Sequence, residues 1–157
     1  MGDPGLLCDL LVPAALVRNK EFAVGIIPHY VDQDNPLLLD FIRKTPGTKL
    51  LVVFSETRDF ISQVAKCEVV LSSSLHGLIA ADSLGVPNAW LRLSDKVWGN
   101  DFKFSDYYSV YGLENIEPFT FNAETTRQDV LRLPDDYRRP GLAQIKKALL
   151  DSFPFKK

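Results

Sequence analysis

Four short apolar runs divide the first 93 residues at intervals that suit strands alternating with helices: residues 22–27 (FAVGII), 49–54 (KLLVVF), 68–71 (EVVL) and 88–93 (NAWLRL). Each is brief, rich in branched side chains and continuous rather than alternating, which predicts strands buried on both faces of a parallel sheet. The segments between them carry helix boundaries. Asn35-Pro36 reads as a cap followed by proline at the first helical position, opening a helix over 37–44 that Thr45-Pro46-Gly47 ends. A second helix is expected over 57–65, with Phe60, Ile61 and Val64 on its inner side. A third runs from a cap at Ser73 or Ser74 to Leu84, where Gly85-Val86-Pro87 supplies a glycine-then-proline ending. Strand, helix, strand, helix, strand, helix, strand predicts an α/β domain with a doubly wound, Rossmann-like parallel sheet.

After Asp95 the pattern changes. Residues 98–113 are aromatic-rich, with Phe102, Phe104, Tyr107, Tyr108 and Tyr111 at near-helical spacing, which suits packing or a sugar-facing surface. Two more helices are expected, over 125–133 and 142–153, the last with Leu142, Ile145, Leu149 and Phe153 on one face. The organisation predicted is a lobe over 1–113 and a helical tail over 114–157 that packs on it.

Composition narrows the partners. With 18 Lys and Arg against 20 Asp and Glu the net charge is −2, so no basic surface is imposed and nucleic acid is not expected as a partner. The longest apolar stretch, 6–17, is interrupted by Asp9 and Pro13 and falls short of the roughly 20 residues that span a bilayer. The opening residues lack the basic region of a signal peptide. Cys8 and Cys67 have neither CxxC partners nor metal-like spacing with the histidines, as expected of thiols in a reducing, cytoplasmic setting; no metal is expected.

Candidate chemistry concentrates at Val69-Val70-Leu71-Ser72-Ser73-Ser74-Leu75-His76-Gly77. A buried strand ends, three hydroxyls follow, and a helix opens with a histidine in its first turn. Ligands of open parallel sheets bind at the carboxyl ends of the strands, and a helix N-terminus there offers unpaired N–H groups and partial positive charge to an anion. Ser72, Ser73 and Ser74 add donors, Gly77 permits close approach, and His76 suits proton transfer. Serines before a helix are also ordinary caps, and a first-turn histidine is often no more than a satisfied polar residue. His29, just past the first strand, lies on the same edge if the strands are parallel. Ser94-Asp95-Lys96 follows the fourth strand, where Lys96 or Arg92 suits an anion, and Lys103 lies among the aromatics. No GxGxxG follows the first strand, which argues against a simple dinucleotide site.

Several ordered segments resemble the polysaccharide pyruvyltransferase family. Gly2-Asp3-Pro4-Gly5-Leu6-Leu7 is similar to the element that begins its second half, and Val24-Gly25-Ile26-Ile27-Pro28-His29-Tyr30 to its next strand. Residues 72–87 (SSSLHGLIAADSLGVP) resemble its strand-turn-helix signature. Residues 90–97 and 99–108 resemble a subgroup associated with exopolysaccharide gene clusters, so the likeness covers about residues 2–112. The resemblance implies the second lobe of a glycosyltransferase-B type fold, the half that holds the donor. It implies transfer of a pyruvyl group from phosphoenolpyruvate to a sugar or lipid-linked oligosaccharide as a ketal, with no cofactor and a place at the membrane periphery. By it His76 is the general acid, and Ser73, Ser74 and their helix N-terminus hold the donor's phosphate or carboxylate. Many family members carry arginine where Ser74 stands, so the donor clamp is expected to be weaker here unless Lys96, Arg92, Lys103 or a residue of the further lobe replaces it. Members also have a further lobe before the Gly-Asp-Pro element, and the chain alone is expected to be inactive. Two alternatives remain beside this: a glycosyltransferase using a nucleotide sugar, and a non-catalytic binding lobe.

Overall fold

The computed structural model describes residues 2–94 and 101–152. Five strands form one all-parallel sheet in the order β2-β1-β3-β4-β5: β1 (Phe22–Ile27), β2 (Thr48–Leu50), β3 (Cys67–Ser72), β4 (Asn88–Arg92) and β5 (Phe119–Thr120). The doubly wound Rossmann-like reading holds. The order reverses between β1 and β3, which lie side by side with Ile27 opposite Ser72. Connections leaving these two strands turn to opposite sides there and open a crevice at their carboxyl ends.

The strands are continuous apolar runs because both faces are covered. Val24, Ile26, Val69, Leu71 and Leu91 pack under α2 (Pro36–Lys44) and α6 (Arg127–Leu131), with Leu38, Phe41 and Val130. Ile27 and Val70 face α3 (Thr57–Ala65) and α4 (Leu75–Ser83), joined by Ile61, Val64 and Ala81. The short α1 (Ala14–Arg18) lies against α3. Asn35 caps α2 through its side chain, accepting from the N–H groups of Leu37 and Leu38, and Gly85 ends α4 at φ +65° as its sequence position predicts.

Four departures have physical causes. The expected strand over 49–54 is only Thr48–Leu50. It is the edge strand with one neighbour, and after Leu51 donates to the Ile26 carbonyl (2.8 Å) the chain turns away, leaving Phe54 73% exposed. The Asp3-Pro4 start is ordered: Asp3 accepts from the N–H of Gly5 (2.7 Å) and opens a 3₁₀ segment, Pro4–Leu11, whose Leu6 is wholly buried beside Leu78 and Ile79 of α4. The helix expected over 125–133 stops at Leu131 and tightens into a 3₁₀ turn, Leu133–Asp136. The polar connection before it supplies β5, which pairs with Leu91 and Arg92.

The aromatic segment forms α5 (Phe102–Ser109), whose Phe104, Tyr107 and Tyr108 are buried, as is Tyr111 just beyond it. Trp90 stacks on Phe104 with centroids 4.4 Å apart. Residues 142–151 form α7 (Leu142–Asp151), whose Leu142, Ile145 and Leu149 join the Leu6 cluster; Phe153 lies outside the described residues. Lys146 ties α7 down, pairing with Asp9 (2.6 Å) and donating to the Ser83 carbonyl (2.9 Å). Among the described residues no helix is long and apolar enough to cross a membrane.

The buried face of α4 is held by one polar centre. Asp82, wholly inaccessible, accepts hydrogen bonds from Tyr107 Oη (2.6 Å), Arg139 Nε (2.7 Å), Tyr137 Oη (3.0 Å) and Asn88 Nδ2. The Arg139 guanidinium also donates to Asn88 Oδ1 (3.1 Å) and lies over the rings of Tyr108, Tyr111 and Tyr137. Burial, and then the Asp82 charge, raise the Tyr107 and Tyr137 phenols above the ordinary tyrosine range, so both remain donors to the carboxylate.

Candidate anion site at the β1 and β3 carboxyl ends

The site is built where β1 and β3 end together. β3 delivers Ser72 and Ser73 fully buried, then turns into α4 at Ser74. Ser72 Oγ sits under the turn, accepting from the Ser74 N–H (3.1 Å) and lying within donating reach of the carbonyls of Ser74 (2.7 Å) and Ile27 (3.2 Å). Ser73 joins the two strand ends: its N–H donates to the Ile27 carbonyl (3.1 Å), and its Oγ accepts from the His29 N–H (2.7 Å). Ser72 and Ser73 therefore shape the turn with their hydroxyls.

Ser74 occupies the N-cap position but its side chain makes no capping hydrogen bond. Its hydroxyl and the N–H groups of Leu75 and His76 have no partner among the described residues, since the first intrahelical donors are Gly77 and Leu78, both to the Ser74 carbonyl. A hydroxyl and two N–H groups at the positive end of a nine-residue helix form an anion-binding arrangement. The His76 side chain is exposed at this terminus. Gly77 permits close packing of another kind than ligand approach: a Cβ there would lie 2.3 Å from Ser72 Oγ and 3.0 Å from two Ile27 side-chain atoms, so the missing side chain lets α4 sit on the end of β3.

His29 stands across the crevice. Its Nδ1 faces the Val31 N–H at 3.5 Å, so the neutral ring carries its proton on Nε2, and its ring lies 4.5 Å from that of Tyr30. Partial burial, then the nearby Lys103 ammonium, lower its pKa below the ordinary histidine value, while Asp32 opposes them. Lys103 reaches this neighbourhood from α5, with Nζ 5.1 Å from the centre of the Phe104 ring and no ion-pair partner among the described residues. Arg92 is engaged elsewhere, paired with Asp101 (2.5 Å) and lying over Trp90. Lys96 lies outside the described residues.

Asp32 was not legible as a site residue in the sequence. It is 3% exposed on the turn after β1, its Oδ1 accepts from Ser94 Oγ (2.6 Å) at the end of β4, and its Oδ2 has no hydrogen-bond partner among the described residues. It ties the β1 and β4 edges of the crevice together. Among the described residues no group of three or more His, Cys, Asp or Glu side chains is placed to hold a metal ion.

These charges yield a direct test. The His29 midpoint, followed by NMR, is expected below the ordinary value; Lys103→Ala raises it and Asp32→Asn lowers it further. Because the folded value is depressed, His29 favours the native state above its unfolded pKa of about 6.5 and disfavours it as pH falls from there through the folded value. A midpoint unmoved by Lys103→Ala would separate that lysine from the site.

Over 118 residues the chain is 36% identical to "Uncharacterized protein L143" of Acanthamoeba polyphaga mimivirus, an alignment covering 73% of this chain and 40% of that protein. The chain thus spans well under half the length of this curated relative. No solved structure matches. The family model of polysaccharide pyruvyl transferase matches residues 4–95, a span that runs from the ordered 3₁₀ segment through β1, the serine turn and β4. The match of that family model over more than half of this chain, spanning β1 to β4 of the doubly wound sheet, places the chain in the polysaccharide pyruvyl transferase family.

Proposed function

We propose that this chain is the donor-binding lobe of an enzyme that transfers the pyruvyl group of phosphoenolpyruvate to a sugar of an exopolysaccharide or its lipid-linked precursor. The observation that carries the reading is the α4 N-terminus at the β1/β3 switch point, where Ser74 Oγ and the N–H groups of Leu75 and His76 have no partner among the described residues. Phosphoenolpyruvate has two anionic ends. One suits the helix terminus; the other suits Lys103 and the Nε2–H of neutral His29 across the crevice, in place of the arginine that Ser74 replaces. Lys96 is a further cation for this end.

In the reaction, His76 donates a proton to the methylene carbon of the enol phosphate. The carbon bearing the carboxylate and phosphate becomes oxocarbenium-like, and a sugar hydroxyl attacks it and loses its proton. Phosphate then leaves, a second hydroxyl of the same sugar closes the ketal and releases its own proton, and one phosphate is formed for each pyruvyl group transferred. The exposure of His76 suits a group that meets substrate at an open crevice. The fixed N–H donors stabilise charge on the departing phosphate. A second lobe completes the cleft, and the assembled enzyme works in the cytoplasm at the membrane surface.

Amide-shift mapping tests the reading. Phosphoenolpyruvate is expected to shift the amides of residues 73–77 saturably, and Ser74→Ala with Leu75→Pro, which removes the hydroxyl and one N–H of the first helical turn, to abolish the response. Response to a UDP-sugar alone would replace this donor with a nucleotide sugar.

A further inference from the structure

His29 caps a single 3₁₀ turn after β1 and Asp32 ends it, the Asp32 N–H donating to the His29 carbonyl (2.9 Å). Two polar groups on this turn are poorly matched. Asp32 Oδ2 is a buried carboxylate oxygen with no hydrogen-bond partner among the described residues, although Oδ1 of the same group accepts from Ser94 Oγ. The neighbouring donor, Gln33 Nε2, is buried and unpaired as well, so the two do not satisfy each other. His29 Nδ1 makes one hydrogen-bond contact, with the Val31 N–H at 3.5 Å, the outer limit of such a bond. A buried carboxylate short of donors is costly, and folded chains nearly always compensate one. The compensating group this turn carries in latent form is the His29 imidazolium, which exists only when Nδ1 takes a second proton.

Charge decides whether that proton arrives. Partial burial of the ring and Lys103, from α5, oppose it, while Asp32 favours it from the same turn. Ser73, from the β3–α4 turn, engages only the His29 backbone N–H, and Tyr30 lies against the ring. With the crevice empty, Lys103 has no ion-pair partner among the described residues and its repulsion keeps the ring neutral. An anion seated between the α4 N-terminus and Lys103 cancels that repulsion and attracts a cation itself, and no neighbouring cation then opposes Asp32. We propose that binding of a dianion in the crevice draws one proton from solvent onto His29 Nδ1, with the Asp32 carboxylate balancing the imidazolium while Nε2–H stays on the anion. Asp32 is thus a positioning residue, acting through His29 without touching the ligand. This coupling rests on the donor-site reading. By reciprocity the anion is held more tightly at lower pH, its affinity falling about tenfold per pH unit between the free and bound His29 midpoints.

The chain has two histidines, so His76→Asn leaves His29 as the one imidazole to follow by NMR. Its midpoint is measured in the 157-residue chain without ligand and with saturating sulfate, a dianion that does not titrate near neutral pH, with phosphoenolpyruvate as a separate arm. Sulfate is expected to raise the midpoint by about one pH unit or more. Asp32→Asn keeps an acceptor for Ser94 and removes the charge; it is expected to abolish most of the rise while sulfate still shifts the amides of residues 74–76. A purely structural Asp32 would leave the rise intact in this variant. Adding His29→Gln to His76→Asn keeps an N–H for the anion and is expected to make sulfate affinity independent of pH between about 6 and 8. A midpoint that sulfate leaves unmoved or lowers overturns the coupling. So does an equal rise in Asp32→Asn, an unchanged pH dependence without His29, or the absence of any sulfate response. Phosphoenolpyruvate shifting residues 73–77 with the His29 midpoint unmoved sinks the coupling and spares the donor reading. Sulfate raising the midpoint while phosphoenolpyruvate shifts nothing keeps the coupling and sinks the donor reading.

Discussion

Asp82→Ala is expected to lower the unfolding free energy by about 3–5 kcal/mol, read as a fall in the urea midpoint at unchanged slope. The magnitude follows from what the carboxylate leaves behind. Arg139, whose side chain is 7% exposed, would lose its only carboxylate partner among the described residues while still enclosed by three tyrosine rings. Tyr137 would lose the acceptor for its hydroxyl, Tyr107 would fall back on the Tyr111 hydroxyl (2.9 Å), and Asn88 would lose one of its acceptors. The damage would not stop at α4, because α5, the start of β4 and the segment around residue 139 converge on this one group. Asp82→Asn keeps the shape and some acceptors yet leaves the guanidinium uncompensated, so a large loss is expected there too. Replacing the pair together, Asp82→Leu with Arg139→Met, is expected to recover the part of the loss that comes from the uncompensated guanidinium, while Tyr137 and Asn88 still lack the carboxylate. An exposed-site cost, under about 0.5 kcal/mol for Asp82→Ala, would show that the network is not formed in solution.

Gly77→Ala joins stability to the site. In an exposed helix interior this change gains about 1 kcal/mol of helix propensity. Here the added methyl would stand 2.3 Å from Ser72 Oγ, an atom fixed by its bonds around the turn, and 3.0 Å from Ile27. Ser72 Oγ is held by three hydrogen bonds, and Ile27, met at both Cγ2 and Cδ1, is wholly buried with little room to yield, so α4 must lift off β3. Overpacking of this kind costs about 1–3 kcal/mol and outweighs the propensity gain. Lifting α4 also moves the N–H groups of Leu75 and His76 relative to His29, so the phosphoenolpyruvate response of residues 73–77 is expected to vanish even where the variant remains folded. Gly77→Ala with Ser72→Ala removes the clashing oxygen and is expected to restore part of the stability but not the turn geometry that Ser72 organises. A Gly77→Ala variant as stable as the parent, with an intact anion response, would contradict the close packing described here.

Much of the fold is legible in local pattern. The continuous apolar runs at 22–27 and 88–93, the Asn35-Pro36 cap and the Gly85 stop all carry their own physical cause within a few residues, so strands, helices and the parallel sheet follow from the chain alone. The run at 49–54 overstates its strand because an apolar sequence signals burial or strand propensity, while pairing requires a neighbour, and β2 has one only on its inner side. β5 is hidden for the converse reason. Two residues, Phe119 and Thr120, are too few to show a period and become a strand only because Leu91 and Arg92 offer an edge.

The candidate site divides in the same way. Residue types and the strand-to-helix junction mark Ser72, Ser73, Ser74, His76 and Gly77 as belonging to one turn at a sheet edge, because that turn is local. What each contributes is tertiary. Whether a serine hydroxyl caps, braces or stands unengaged depends on Ile27 and His29, more than forty positions away, as the 45- and 44-residue separations of those contacts show. The strand order that places His29 beside Ser73, the buried Asp32 that joins Ser94 to the same edge, and the gathering of Tyr107, Tyr137 and Arg139 on Asp82 are set by how elements pack, not by spacing along the chain. Local pattern along the chain specifies the elements and the chemistry available at their ends. Which of those groups meet is set by packing, because burial and hydrogen-bond partnership are properties of neighbours in space.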